Sequence, residues 1–227
     1  MYKIGKNAGK KWMAAVMAAF VTVAAATGCG KTDKAGAEER KETNSITVAA
    51  SSDTGSMDPA GSIALTYLTY SVSALDELLT FDADGEIDYR AAESYEVNED
   101  STVWTFHLRE EAVWSDGTPV TSADFLNTMT RALDPKSGSG YANYLFPIRN
   151  AEAIYNGEME IGELGVETPD DDTLIFYLEK PCVYFLDLLR LPVYTPSCST
   201  YAKETGSGWD TDPKTSVSNG PFYLAEY

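Results

Sequence analysis

A chain of 227 residues with 44% hydrophobic and 23% charged residues has a globular composition, which argues against wholesale disorder. Its length suits one large domain or two small ones. Asp and Glu outnumber Lys and Arg by 35 to 17, and a formal charge of −18 argues against nucleic acid as a partner, since phosphate binding needs concentrated Lys and Arg. The acidic surplus describes a solvated surface and identifies no ligand.

Residues 1–28 differ in kind. They hold Lys3, Lys6, Lys10 and Lys11 and no acid. A basic head over 1–11, an uncharged apolar run over 12–26 and small residues after it describe a secretory signal peptide. A helix as long as the apolar run spans about 22 Å, against a hydrocarbon core of about 30 Å. A stable membrane span is therefore the weaker reading. Ala26-Thr27-Gly28-Cys29 resembles the bacterial lipobox, although the pattern prefers Leu where Ala26 stands. The alternative is an ordinary signal peptide with a Cys nearby. A lipid on Cys29 would hold the protein to the outer face of a membrane, each buried CH₂ contributing about 0.8 kcal/mol. Residues 30–44 contain no apolar side chain larger than Ala, so 29–44 reads as a flexible tether. The folded part is expected to begin near Ser45. Together these features imply an exported, membrane-tethered protein.

Ile46–Ala50 reads as a short strand, and Asp53–Pro59 is turn-rich. Leu65, Leu68, Val72, Leu75 and Leu79 recur at helical spacing and predict a helix over 63–79. Asp82–Gly85 is a turn. Residues 102–109 alternate, with Val103, Thr105, His107 and Arg109 on one face and Trp104, Phe106 and Leu108 on the other, which predicts a half-buried strand. Trp114–Pro119 is a tight turn around Gly117. Thr121 and Asp124 open a helix that runs to about Leu133 and stops before Pro135. A short helix over 151–156 ends at Gly157. Residues 173–179 predict a strand, and Pro181 opens a helix through Arg190. Strands and helices mix without strict βαβ alternation, giving an α/β or α+β class.

Cys182 and Cys198 lie in the folded part. Export permits a disulfide between them, and two unpaired thiols are equally compatible. With a single His, the chain offers no zinc site, and no metal or cofactor is expected.

Several blocks, in order, resemble one family. Ser56-Met57-Asp58-Pro59 is similar to its "S-L-D-P", and Ala92-Glu93-Ser94-Tyr95 to its "A-E-S-W". Val103–Arg109, Trp114–Thr121 and Asp124-Phe125 are close to its signature. Leu164-Gly165-Val166, Asp171–Leu174, Tyr184-Phe185 and Ser218–Phe222 follow in the expected order. The family is the peptide/nickel type of extracytoplasmic solute-binding proteins, and the nearest branch resembles the oligopeptide binders.

The resemblance covers residues 45–227 and implies a type II periplasmic-binding-protein fold of mixed α+β class. It implies a two-lobed receptor that closes on a peptide and delivers it to the permease of an ABC importer. Family members are much longer, so the chain looks like an N-terminal fragment with the second lobe absent. Residues 45–75 and 200–227 would belong to the first-lobe core, and 76–199 to an inserted α/β subdomain. In oligopeptide-binding relatives a Tyr at the matching "Y-A" lines the cleft, which points to Tyr141. Ser62, Ile63 and Ala64 follow the "D-P" block where relatives also approach ligand.

Other features carry less. Trp104, Phe106, Leu108 and Trp114 read as core. Asp116-Gly117 reads as turn chemistry. His107 sits within a strand, and no G-x-S-x-G elbow accompanies it. Asp76/Glu77 and Asp170–Asp172 read as solvated acids and not as a glycosidase pair. The expectation is a non-enzymatic, lipid-anchored oligopeptide receptor. Its rivals are a dipeptide, nickel or small-solute binder of the same family, a secreted cell-wall hydrolase, and a surface peptide sensor.

Overall fold

The computed structural model describes residues 2–6, 45–48, 56–61, 70, 73–203 and 208–226. Cys29, the apolar run, the tether and Ser62–Ala64 lie outside the described residues. Among the described residues no helix is long and apolar enough to cross a membrane.

A four-stranded antiparallel sheet positions the rest. Its strands are β5 (Ala92–Val97), β6 (Val103–Leu108), β7 (Val166–Glu167) and β8 (Thr173–Tyr177), in the spatial order β5-β6-β8-β7. The predicted alternation is present. Trp104, Phe106 and Leu108 are buried, while Val103, Thr105 and His107 stay partly exposed. Trp104 stands opposite Phe176, and Phe106 opposite Leu174, so both strands turn their large side chains to one face.

Helix α1 (Ser122–Leu133) adds Phe125, Met129 and Leu133 to the same core. It begins as predicted. The Asp124 carboxylate accepts the Thr121 N–H at 2.9 Å, satisfying a donor that the helix leaves free. It ends at Leu133, with Asp134 as its extended C-cap ahead of Pro135. Helix α2 (Ala151–Tyr155) is short and stops before Gly157, whose φ of +74° suits the residue after a helix end. Helix α3 (Phe185–Leu188) sets the Phe185 ring edge-on to Phe176 at 5.3 Å and tilted against Trp104 at 5.4 Å. Such ring pairs stabilise beyond the area they bury.

One predicted helix ends earlier than its periodicity suggests, and another is shorter. Tyr70, Ser73 and Ala74 are helical, but Leu79 opens strand β3 (Leu79–Phe81), which forms a hairpin with β4 (Ile87–Tyr89). The apolar spacing is real, since Leu75, Leu78 and Leu79 are all buried. The backbone nevertheless bonds sideways. The Leu78 carbonyl accepts N–H groups from Arg90 and Ala92, and Glu77 accepts from Ala91, so these residues pair with the strand side of the fold. The 181–190 helix reduces to α3. Pro181 and Pro192 bound it, and residues 192–194 form a separate 3-10 turn.

The remaining sheet has the order β2-β1-β9, from β1 (Tyr2–Lys6), β2 (Ser45–Val48) and β9 (Phe222–Glu226). β2 matches the predicted strand as far as it is described. β1 places part of the basic head between the other two, antiparallel to both. A strand there was not expected from the lysine-rich composition. Cys182 and Cys198 are both buried free thiols, so the disulfide alternative falls away.

Candidate functional site

Tyr141 precedes a 3-10 helix over Ala142–Leu145. Residues three apart eclipse each other in that geometry, so Tyr141 and Tyr144 present their rings on one side. The centroids lie 5.7 Å apart with 34° between the planes. Tyr144 is 40% exposed and Tyr141 half-buried. Neither phenol oxygen has a hydrogen-bond partner among the described residues, which leaves two amphipathic rings with free hydroxyls.

The pair stands on a rigid base. The buried Tyr194 phenol donates to the Tyr144 carbonyl at 2.9 Å. Its ring packs edge-on to Phe185 at 6.1 Å and tilted to Phe176 at 6.2 Å. Burial pushes the Tyr194 phenol far above its ordinary range, so it remains a donor at any physiological pH. Beside it, Tyr184 is 55% exposed, and the Cys182 thiol raises its phenol. Val183, between them in sequence, is almost wholly exposed.

A second set of contacts fixes the segment that leads towards residues 62–64. Asp210 Oδ2 accepts both the Ser56 hydroxyl, at 2.6 Å, and the Met57 N–H. Asp58 Oδ1 accepts the Ala60 N–H at 3.0 Å, while Asp58 Oδ2 pairs with the buried guanidinium of Arg131. Arg131 also donates to Ser197 Oγ at 2.8 Å and lies 5.8 Å from the Trp209 ring centroid. The "D-P" block is thus bolted to α1 and to residues 197 and 210. Among the described residues, Arg131 Nε and Trp209 Nε1 are buried without a hydrogen-bond partner.

Of the residues singled out from sequence, Tyr141 is described, and Ser62, Ile63, Ala64 and Cys29 are not. Sequence reasoning missed Tyr144, Tyr194 and Arg131. The Tyr141–Tyr144 spacing was a usable signal for the first. Nothing local marks Tyr194 or Arg131, because their roles arise from contacts across 50 and 73 positions. The residues read as architectural are so. Trp114 is 2% exposed, and Asp116 accepts both the N–H and the hydroxyl of Thr118 beside Gly117, whose φ is +90°. Among the described residues no group of three or more His, Cys, Asp or Glu is placed to hold a metal.

Residues 86–227 match the family described as bacterial extracellular solute-binding proteins, family 5 middle. The periplasmic oligopeptide-binding protein OppA of Escherichia coli K12 is 36% identical over 217 residues, which cover 95% of this chain and 38% of that protein. The substrate-binding domain of an oligopeptide ABC transporter from Bacillus anthracis superposes with a TM-score of 0.73 at 38% identity, over 77% of this chain and 34% of that one. Listeria monocytogenes OppA bound to peptide gives a TM-score of 0.73 at 31% identity, over 78% of this chain and 35% of that one. The chain therefore spans between 34% and 38% of the length of these relatives.

Proposed function

The chain belongs to the family 5 bacterial extracellular solute-binding proteins, and from that premise we propose that it captures oligopeptides outside the cytoplasm and delivers them to the permease of an ABC importer. The observation that carries this reading is the Tyr141–Tyr144 pair with its free hydroxyls, held on the Tyr194 base. A phenol ring stacks on a peptide's side chain or backbone plane, and its hydroxyl reaches a peptide N–H or carbonyl. Strand-like bonding to the peptide backbone tolerates varied side chains, which suits a receptor for many sequences.

In this account Tyr141 touches ligand through its side chain, and Ser62, Ile63 and Ala64 touch it through their backbone. Residues 45–75 and 200–227 belong to the first-lobe core, and 76–199 form a subdomain inserted in it. Hinge closure of a second lobe would bury the peptide against this wall. No bond is made or broken, so the protein is a receptor and not an enzyme. A diacyl chain on Cys29 keeps it at the outer membrane face, within reach of its permease.

Calorimetric titration tests the reading. The longest natural form that contains this chain, without lipid, is titrated with a mixed pool of tri- to hexapeptides and separately with free amino acids. Saturable heat with the peptides alone is expected. No heat with peptides would overturn the assignment.

A further inference from the structure

Two grooves flank α2 and the loop that follows it, and they share Met159. One has a volume of about 480 Å³ and lies between the end of α1 and residues 154–161. The other, of about 430 Å³, lies between α2, Phe146 and Glu179. Neither is lined by Tyr141, Tyr144 or Tyr184. Met159, shared by both grooves, and Ile161, which lines the first, are 41% and 42% exposed. Large apolar side chains exposed side by side within a concave surface mark a contact site, and an unbranched thioether adapts to varied partners.

The rim is of one sign. Asp134 and Glu160 line the first groove, and Glu152, Glu158 and Glu179 line the second; all five are exposed. None forms an ion pair among the described residues, where the only pairs are Arg90–Asp88 and Arg131–Asp58. Arg131 is the single basic side chain in either lining, and it is buried and committed to Asp58. Lys136 and Lys180 are neighbours in sequence but line neither groove. An apolar centre within a ring of unneutralised carboxylates selects its complement. That complement is an apolar side chain flanked by cations, which also excludes nucleic acid and anionic lipid.

We propose that this surface docks a segment of a partner protein that carries an apolar anchor between lysines or arginines. The interaction is separate from peptide capture at Tyr141. Charge complementarity speeds its formation and makes it sensitive to salt, while Met159 and Ile161 supply the anchor contact.

The test uses the longest natural form containing this chain, with its methionine methyls labelled with ¹³C. The probe is a twelve-residue peptide alternating Leu-Leu with Lys-Lys. Its two controls replace every Lys by Glu or every Leu by Ser. Met159→Leu identifies the Met159 resonance. The Leu/Lys peptide is expected to shift that resonance and to bind at least tenfold more tightly than either control. Glu158→Lys with Glu160→Lys, and separately Met159→Ser, should each weaken it about tenfold without changing the circular dichroism spectrum. These side chains are exposed, and because Glu160 also caps the 3-10 turn over Ile161–Glu163, the circular dichroism spectrum is the control for the fold. An unmoved Met159 resonance overturns the proposal. So does equal binding of the Leu-free control, which would mean unspecific charge attraction, or undiminished binding by the groove variants, which would place the peptide elsewhere.

Discussion

The indole nitrogen of Trp114 donates to Asp124 Oδ2 across 3.0 Å, joining the tight turn to the first turn of α1. The same carboxylate takes the Thr121 N–H at 2.9 Å and, through Oδ1, the Ser199 N–H at 2.8 Å. One side chain, 3% exposed, thus ties three separate stretches of chain together. Asp124→Ala removes the acceptor of four donors, Trp114 Nε1, the Thr121 N–H and hydroxyl and the Ser199 N–H, and should destabilise the fold by about 3 kcal/mol. Asp124→Asn keeps one acceptor oxygen and should cost less. Urea unfolding followed by tryptophan fluorescence checks both. A loss below about 0.5 kcal/mol for the Ala variant would contradict this account.

A buried ion pair behaves differently from a hydrogen-bonded hub. Arg131→Met leaves the Asp58 carboxylate buried without its cation and should destabilise by about 3 to 5 kcal/mol. Asp58→Asn in the same background removes the stranded charge. The double variant should therefore be more stable than Arg131→Met alone. Additive losses in a urea-unfolding cycle would show that the two groups do not interact.

Much of this was legible in the sequence, and the boundary is instructive. Alternation along 102–109 and the Thr121–Asp124 helix start each depend on near neighbours, so their signals are local. The end of the 63–79 helix was misjudged because Leu75, Leu78 and Leu79 fit a helical stripe and a buried strand edge equally well. What decides between them is Arg90, Ala91 and Ala92, whose N–H groups reach back to residues 77 and 78. The candidate site was half legible for the same reason. Tyr141 stood out through resemblance and Tyr144 follows from its spacing, but the Tyr194 base beneath them is a tertiary contact.

Glycine provides a steric test. A Cβ on Gly220 would lie 2.7 Å from the Ala74 carbonyl carbon and 3.0 Å from the Leu75 nitrogen. Both are backbone atoms that cannot swing aside, and the Gly220 N–H to Ala74 carbonyl bond of 2.9 Å holds them together. Gly220→Ala should therefore destabilise by about 2 kcal/mol. Gly162→Ala meets nothing within 4 Å and has no left-handed backbone to strain, so its effect should stay within about 0.5 kcal/mol. Equal thermal-melt shifts for the two would contradict the close approach.

Stability should also respond to the adjacent acids Asp76 and Glu77, which are half-buried and not the solvated pair expected from the sequence. Burial raises both carboxyls; nearby arginines oppose this, Arg90 and Arg109 for Asp76 and Arg90 and Arg190 for Glu77. A carboxyl raised in the folded state binds its proton more tightly there than in the unfolded chain. Its contribution is full below the ordinary carboxylate range and is lost as pH rises through the raised value. Asp76→Asn with Glu77→Gln should thus gain stability over the parent between about pH 4 and pH 7. Urea midpoints at the two pH values measure it. A variant that loses ground over that interval would reverse the sign.

The central claim is that the tyrosine pair is a peptide-contacting wall. The most direct measurement is the affinity of one bound peptide for the longest natural form, for Tyr141→Phe and for Tyr141→Ala, with circular dichroism as the folding control. Tyr141→Ala removes both ring and hydroxyl and should weaken binding at least tenfold, which is about 1.4 kcal/mol, while Tyr141→Phe keeps the ring and should fall between the two. Unchanged affinity in a folded Tyr141→Ala variant would contradict the account.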